Sequence, residues 1–277
     1  QYNCLLNDNG GIVDDLILYK LSNEKYMLVV NASNIKKDWD YLLSKNTYGA
    51  NMENVSDQYS LLSIQGPKTL QSIQELTPHD LSTISYYNFV VTEFAGFNDI
   101  IISNTGYTGC GGFEIYCKNS QLKEIWNNIM LAGSRYSIKP IGLAARDTLR
   151  LEMGFCLYGN ELSDDITPIE AGLGWITKFS KKFNGCKILK EQKEKGVKKK
   201  LIGFELIDKG IPRKDYEIFN NDNIIIGSVT SGTMSPSLGK AIGLGYVNSA
   251  SAKINTTIYI KIRNNLIKAM IIKPPFK

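Results

Sequence analysis

Residues 9–19 read Asn-Gly-Gly-Ile-Val-Asp-Asp-Leu-Ile-Leu-Tyr, and this stretch indicates how the chain begins to fold. Its Asn and Gly residues favour the positive φ angles of a tight turn, and apolar runs lie on both sides of them. A third apolar run, 26–30, follows a polar turn. The sequence therefore predicts a hairpin followed by a third strand, with two neighbouring aspartates within the second strand.

The two aspartates of this strand, Asp14 and Asp15, are the first candidates for chemistry. Successive strand residues face opposite sides, so the two carboxyl groups cannot share one proton as a dyad. Asp15 shares its face with Val13 and Tyr19, and we expect this to be the drier face. Burial there would raise the pKa of Asp15 and let it orient or accept a proton. The alternative is that both carboxylates accept backbone hydrogen bonds near a turn, and periodicity does not choose between the two.

The rest of the chain divides into a mixed region and a strand-rich region. Before residue 200 the pattern predicts helices over 35–43, 121–131 and 142–153, and a hairpin over 89–103. Ser33 and Asn34 are the expected cap of the first helix. Further strands are predicted at 61–64 and 113–117, with a short helix ending at 76. The later apolar runs predict a small barrel or sandwich, and they lie at 201–206, 224–229, 241–247, 257–262 and 266–272.

A glycine-rich segment, 106–112, leads into the strand that carries Glu114. Glycines let the backbone approach a flat ligand closely, and a carboxylate can pair with two parallel donors, as on an aminopyrimidinone edge. The other interpretation is a tight turn with Glu114 exposed. Cys110 in the same loop is a possible nucleophile, although the sequence places no base beside it.

Arg146 and Arg150 stand four residues apart and so lie on one face of the predicted helix. Like charges in this arrangement are unfavourable unless an anion or a carboxylate lies between them. An anion-binding role and a structural salt bridge both stay open.

Composition narrows the class of function. The 277 residues carry a net charge of +5, which favours an anionic small molecule or an acidic partner protein but is too weak to indicate nucleic acid. Five scattered cysteines and one histidine make a zinc site and most Ser-His or Cys-His mechanisms improbable. No apolar run approaches the ~18 residues of a membrane span, so we expect a soluble protein without membrane contact. Carboxylates are the expected catalytic groups.

Taken together and in order, seven segments resemble one family, the aminomethyltransferases or T proteins of the glycine cleavage system. These segments are 9–19, 29–34, 64–67, 106–109, 142–152, 157–159 and 230–240. The resemblance covers the whole chain and implies a three-lobed α+β fold with a C-terminal all-β barrel-like domain. Residues 1–57 would form most of the second lobe, 58–163 the bulk of the first, folate-binding lobe, and 164–277 the C-terminal domain.

The resemblance also implies an activity. Family members move the aminomethyl group held on the lipoyl arm of the H protein to tetrahydrofolate, releasing ammonia and forming 5,10-methylenetetrahydrofolate. The lipoyl group comes from the partner protein, and no metal is needed. The implied location is the cytoplasm of a bacterium, or the mitochondrion of a eukaryote.

The resemblance assigns roles to particular residues. Asp15 matches the key acid near the reactive folate nitrogens, and Glu114 and Arg146 match the pair that grips the folate. The aromatic positions that line or flank the pocket are Tyr2, Tyr87, Tyr107 and Trp175.

Two departures from the family pattern qualify this reading. Family members carry about eighty more residues upstream, so we expect part of the first lobe to be missing here. Cys110 and Gly111 also stand where an acidic pair usually precedes the last glycine of the loop. The alternatives are a folate-binding paralogue, the folate domain of a flavin-dependent demethylating dehydrogenase, and a fragment without transfer activity.

Overall fold

The N-terminal hairpin is confirmed in the computed structural model, which describes residues 1–277. Strand β1 (Tyr2–Leu6) pairs antiparallel with β2 (Ile12–Lys20), and β3 (Tyr26–Val29) pairs with the other edge of β2. The central strand of this three-stranded sheet therefore carries both aspartates.

The chain separates into two compact units, the first formed by 1–38 and 150–277 and the second by 39–149. These two units do not test the predicted division into three lobes, so the boundaries at 57 and 163 stay a prediction. None of the helices is both long and apolar enough to cross a membrane. The helices are α1 (Ile35–Lys45), α2 (Thr69–Ile73), α3 (Leu122–Ala132), α4 (Leu143–Glu152) and α5 (Cys186–Lys195).

The expected cap of the first helix, Ser33 and Asn34, stays a prediction. A short 3-10 turn, Ala32–Asn34, precedes α1, and no side chain caps that turn. The Asn34 side-chain nitrogen donates to the Asp14 carboxylate at 2.8 Å, so this residue also binds a buried acid of β2.

The second unit contains a four-stranded antiparallel sheet in the order β4-β7-β6-β5. Its strands are β4 (Tyr59–Gln65), β5 (Phe89–Phe94), β6 (Phe97–Ser103) and β7 (Gly112–Lys118), which confirms the hairpin predicted over 89–103. Ile102 and Ile115 of the sheet and Ile125 of α3 belong to one hydrophobic core. This sheet positions Glu114 within β7.

The first unit contains a closed six-stranded barrel, which confirms an α+β fold with an all-β barrel near its C-terminus. Five strands match the apolar runs of the sequence, but β9 was not predicted because its three residues are too few to show alternation. β9 pairs with β10 and β12, so it closes the barrel and removes the exposed edges. The strands are β8 (Lys199–Leu206), β9 (Glu217–Phe219), β10 (Ile225–Ser235), β11 (Lys240–Asn248), β12 (Thr257–Ile262) and β13 (Asn265–Ile272).

Candidate functional site

The two aspartates of β2 differ in exposure, and the difference is opposite to the sequence expectation. Asp14 is fully buried, whereas Asp15 is only partly buried. The prediction that Asp15 occupies the drier face is therefore wrong. Alternation along β2 separates the two faces correctly, but the residues that cover the Asp14 face come from 31–38, beyond the strand itself.

Asp14 is held entirely by the segment that follows β3. Its Oδ1 accepts hydrogen bonds from Asn31 Nδ2 and Asn34 Nδ2, both at 2.8 Å, and its Oδ2 accepts one from the Asn31 backbone N at 3.1 Å. Three N–H donors compensate the loss of water around a buried carboxylate. Asp14 therefore has a structural role and leaves Asp15 as the accessible acid.

Asp15 is held by one donor on each carboxylate oxygen. The Tyr2 hydroxyl donates to Oδ2 and the Asn31 side-chain amide donates to Oδ1, each at 2.9 Å. Burial raises the pKa of Asp15, these hydrogen bonds oppose the rise, and the charge of Asp14 adds to it, so that the pKa lies above its ordinary value. Each oxygen has a further lone pair, so this carboxylate can accept a proton or an N–H from a ligand.

Two of the predicted aromatic residues lie beside Asp15. The rings of Tyr2 and Trp175 stack with centroids 6.1 Å apart and planes inclined by 21°. Trp175 is 59% exposed, so one large aromatic surface faces solvent. The structure thus brings Tyr2, Asp15 and Trp175 together in the first unit, an acid beside a flat apolar surface.

Sequence reasoning missed two polar residues of this cluster, Asn31 and Lys37. Asn31 lies in segment 29–34, which carries part of the family resemblance, and this was the available signal. Lys37 Nζ donates to the Val13 carbonyl at 2.9 Å and to Asp164 Oδ2 at 2.7 Å. No spacing rule connects Lys37 with a residue 127 positions later, so only the fold reveals this contact.

In the second unit Glu114 is buried, so the interpretation of Glu114 as an exposed turn residue is wrong. The neighbouring strands place Ser63 and Ser103 opposite Glu114, and small side chains leave room for a carboxylate between them. The Thr105 hydroxyl donates to Glu114 Oε2 at 2.5 Å. A buried carboxylate on a sheet is suited to the recognition of paired N–H donors.

The glycine-rich loop is held to the end of β4 by Gln65, which sequence reasoning also missed. Gln65 Nε2 donates to the Thr105 carbonyl at 3.2 Å, and the Thr108 hydroxyl donates to Gln65 Oε1 at 3.3 Å. Gly112 has a φ of 147°, and a Cβ atom there would lie 2.3 Å from the Ile64 carbonyl oxygen. Glycine is therefore required at 112, because any side chain would collide with β4.

The two arginines of α4 have different surroundings. Arg146 is exposed and its guanidinium lies 4.6 Å from the centroid of the Tyr107 ring, a cation–π contact. Arg150 is fully buried and pairs with Glu161 Oε2 at 2.7 Å. The structural salt bridge is thus correct for Arg150, and Arg146 keeps its guanidinium at the surface.

Tyr87 lies in the second unit, and its backbone N donates to the Asn104 carbonyl at 3.0 Å. It has a φ of 63°, in the left-handed region, and its ring meets the Tyr86 ring edge-on at 4.5 Å. In the second unit the structure brings Tyr107 and Arg146 into contact. The roles of all seven predicted residues in ligand binding or catalysis stay predictions.

Comparison with known proteins gives a consistent result over the chain. The GCVT N-terminal domain family matches residues 1–181, and the glycine cleavage T-protein C-terminal barrel domain family matches residues 199–277. An aminomethyltransferase of Flavobacterium psychrophilum is 57% identical over 276 residues, which are 100% of this chain and 77% of that protein. One from Caldanaerobacter subterraneus is 49% identical, covering 99% of this chain and 74% of the relative.

A solved structure supports the same assignment. The chain superposes on the glycine cleavage system aminomethyltransferase T from Bartonella henselae with a TM-score of 0.89 and 31% identity. The superposition covers 100% of this chain and 75% of that one. The predicted resemblance is confirmed, and the chain belongs to the aminomethyltransferases, the T-protein family of the glycine cleavage system.

Proposed function

We propose that this aminomethyltransferase takes the aminomethyl group from the lipoyl arm of the H protein and passes it to tetrahydrofolate. The carbon leaves sulfur and nitrogen and forms two bonds to the folate nitrogens N5 and N10. The two protons lost from those nitrogens end on the lipoyl thiol and on ammonia. Family membership supports the reaction class and a partner within the glycine cleavage system. We propose the H protein as that partner and tetrahydrofolate as the acceptor. Because the relatives named above are bacterial, we assign the reaction to a bacterial cytoplasm.

Asp15 is the residue that we propose acts on the folate nitrogens. The observation that carries this assignment is a partly exposed carboxylate whose two oxygens are oriented by Tyr2 and Asn31. Such a carboxylate can accept an N–H from an attacking amine and so increase its nucleophilicity, and its negative charge favours a cationic, iminium-like carbon. Its raised pKa makes it a stronger base than an exposed aspartate.

The second unit supplies the proposed folate-binding groups. The buried Glu114 carboxylate would accept two parallel N–H donors of the pterin, with Thr105 fixing one of its oxygens. Arg146, stacked on Tyr107, presents a guanidinium that suits an anionic group of the ligand. Tyr2, Tyr87, Tyr107 and Trp175 remain the proposed aromatic lining.

Overall charge agrees with both proposed partners. The chain carries +5, and the glutamate tail of folate is anionic. An acidic H protein would likewise be attracted, which mainly raises the rate of association.

The decisive experiment replaces Asp15 with asparagine, which keeps the shape but removes the negative charge and the basicity. Ammonia release from aminomethyl-loaded H protein is measured with and without tetrahydrofolate. We expect the folate-dependent rate to fall by about 10²–10⁴-fold, the usual contribution of a positioned general base. Folate affinity, measured by calorimetry, should change far less.

The matched control is Asp165→Asn, the same change at an exposed carboxylate of the same unit. It should retain the normal rate. An Asp15→Asn variant with undiminished folate-dependent ammonia release would overturn the assignment of Asp15. Folate binding without any ammonia release, measured on a protein with the full length of its relatives, would overturn the transfer reaction itself.

A further inference from the structure

One buried acid, Asp38 on α1, has no role in the site described above. Its side chain is 1% exposed, and neither carboxyl oxygen receives a hydrogen bond from any protein group. An ionised carboxylate without water or a donor is very unfavourable, whereas a protonated carboxyl group needs only an acceptor. The surroundings of Asp38 therefore favour its neutral form.

The acceptor available to Asp38 is the buried carboxylate of Asp14. Asp14 already receives three N–H donors and is the better stabilised anion of the two. Its Oδ2 atom accepts only the longest of these bonds, 3.1 Å from the Asn31 backbone N. A carboxylate oxygen has two lone pairs, so one bond does not fill its capacity as an acceptor. Two buried acids in contact are stable when one keeps a proton and donates it to the other.

The pKa of Asp38 is raised, which is the direction expected for a buried carboxyl group that receives no hydrogen bond. Burial, the hydrogen bond to Asp14 and the negative charge of Asp14 raise the pKa of Asp38 to about 8. The charged groups that face Asp38 are Asp14 and Asp15 of β2 and Lys37 of its own helix. The ammonium group of Lys37 opposes the rise, and the Asp15 carboxylate adds to it.

Asn31 connects this acid pair with Asp15. Its side-chain nitrogen lies 2.8 Å from Asp14 Oδ1, 2.9 Å from Asp15 Oδ1 and 3.1 Å from the Asp15 carbonyl oxygen. One amide with two hydrogens thus serves both carboxylates, so a rotation of the Asp14 side chain changes the donor that Asp15 receives.

We propose that Asp38 is a positioning residue that stays protonated and donates to Asp14, which fixes the Asn31 amide and through it the Asp15 carboxylate. The inference rests on the proposed role of Asp15 in the transfer reaction. Loss of the Asp38 proton would leave the carboxylates of Asp14, Asp15 and Asp38 close together with too few hydrogen-bond donors. The side chains of Asp14 and Asn31 would then rearrange. Folate binding in the second unit does not depend on this contact chain.

Two substitutions at Asp38 separate the proposal from a merely structural role. Asp38→Asn keeps the shape and supplies an N–H donor to Asp14, whereas Asp38→Val removes the donor. We expect the asparagine variant to keep kcat within about threefold of normal and the valine variant to show a kcat lowered about tenfold or more. KM for tetrahydrofolate should change less than kcat. The reason is that small displacements of a reacting group reduce rates strongly. Asp40→Asn, an exposed residue of the same helix, is the control.

The pH profile is a second readout. An acid with a raised pKa loses its proton as the pH rises through that value, so kcat should fall above about pH 8 in the unaltered protein. The asparagine variant has no proton to lose there and should lack this alkaline decline. A decline that persists unchanged in Asp38→Asn would overturn the proposal.

Infrared spectroscopy tests the proton itself, independently of activity and of the stability of the valine variant. At pH 7 the unaltered protein should show the carbonyl stretching band of a protonated carboxyl group, and Asp38→Asn should lose it. If Asp15→Asn keeps full activity but the band is present, the role of Asp15 fails while the protonated state of Asp38 stands. An identical band in both proteins, or equal kcat values in the asparagine and valine variants, would refute the positioning role.

Discussion

Replacing Arg150 with methionine should destabilise the first unit more than any surface charge change. Arg150 and Glu161 have 1% and 0% exposed side chains and form an ion pair at 2.7 Å. Arg150 also donates to Ser231 Oγ at 2.7 Å and to the Phe155 carbonyl at 3.0 Å. Methionine fills a similar volume, so the main effect is to leave the Glu161 carboxylate buried without its counter-ion.

The magnitude follows from what remains around Glu161. Breaking a buried ion pair by removing one partner costs about 3–5 kcal/mol. Glu161 would keep the Ser231 hydroxyl at 2.6 Å and the Leu157 backbone N at 3.0 Å, so we expect the lower end of that range, about 3 kcal/mol. Removing both charges in Arg150→Met with Glu161→Leu should cost less than the sum of the single changes, because neither charge is then left alone.

Urea denaturation followed by circular dichroism measures these changes in the free energy of unfolding. Lys261→Met is the matched control, because Lys261 pairs with Glu217 at 3.0 Å in the same unit, with both side chains more than 40% exposed. Such surface pairs contribute about 0–1 kcal/mol. Equal effects of Arg150→Met and Lys261→Met, or strict additivity in the double variant, would refute the reasoning.

Two further predictions concern the second unit. Gly112→Ala should lower the free energy of unfolding by about 2 kcal/mol or more, because the φ of 147° and the Ile64 carbonyl oxygen both exclude a Cβ atom. Gly142 has open space around it, so Gly142→Ala should change the free energy of unfolding little. Thermal denaturation compares the two, and similar melting temperatures would contradict the prediction. Glu114→Gln should raise KM for tetrahydrofolate about tenfold, the usual value of a charged hydrogen bond, with a smaller change in kcat. Steady-state kinetics at varied folate concentration measure this, and an unchanged KM would exclude Glu114 from the binding site.

Local pattern predicted most of the secondary structure because alternation and turn residues act over a few positions. The hairpin around Gly96 and the five apolar runs after residue 200 are examples. β9 is different, since a three-residue strand exists only because β10 and β12 offer it partners. Its formation depends on the closed barrel, which no short segment encodes by itself.

The candidate site shows the same division more sharply. The family segments pointed to Asp15, but the faces of β2 were ranked wrongly, because alternation cannot tell what later chain will cover each face. Asn31 and Asn34 cover Asp14 and thereby leave Asp15 accessible. Arg146 and Arg150 likewise look equivalent in sequence, and only the partners that approach each of them make one a surface group and the other a buried ion.

Amino-acid order alone therefore determined most of the strands and helices, the family and the presence of two adjacent acids, since each depends on neighbouring residues or on matching motifs. Tertiary structure alone decided which acid is buried and which donors orient the other. These properties depend on burial and on hydrogen bonds between residues far apart in the chain, such as Tyr2 with Asp15 and Asn34 with Asp14.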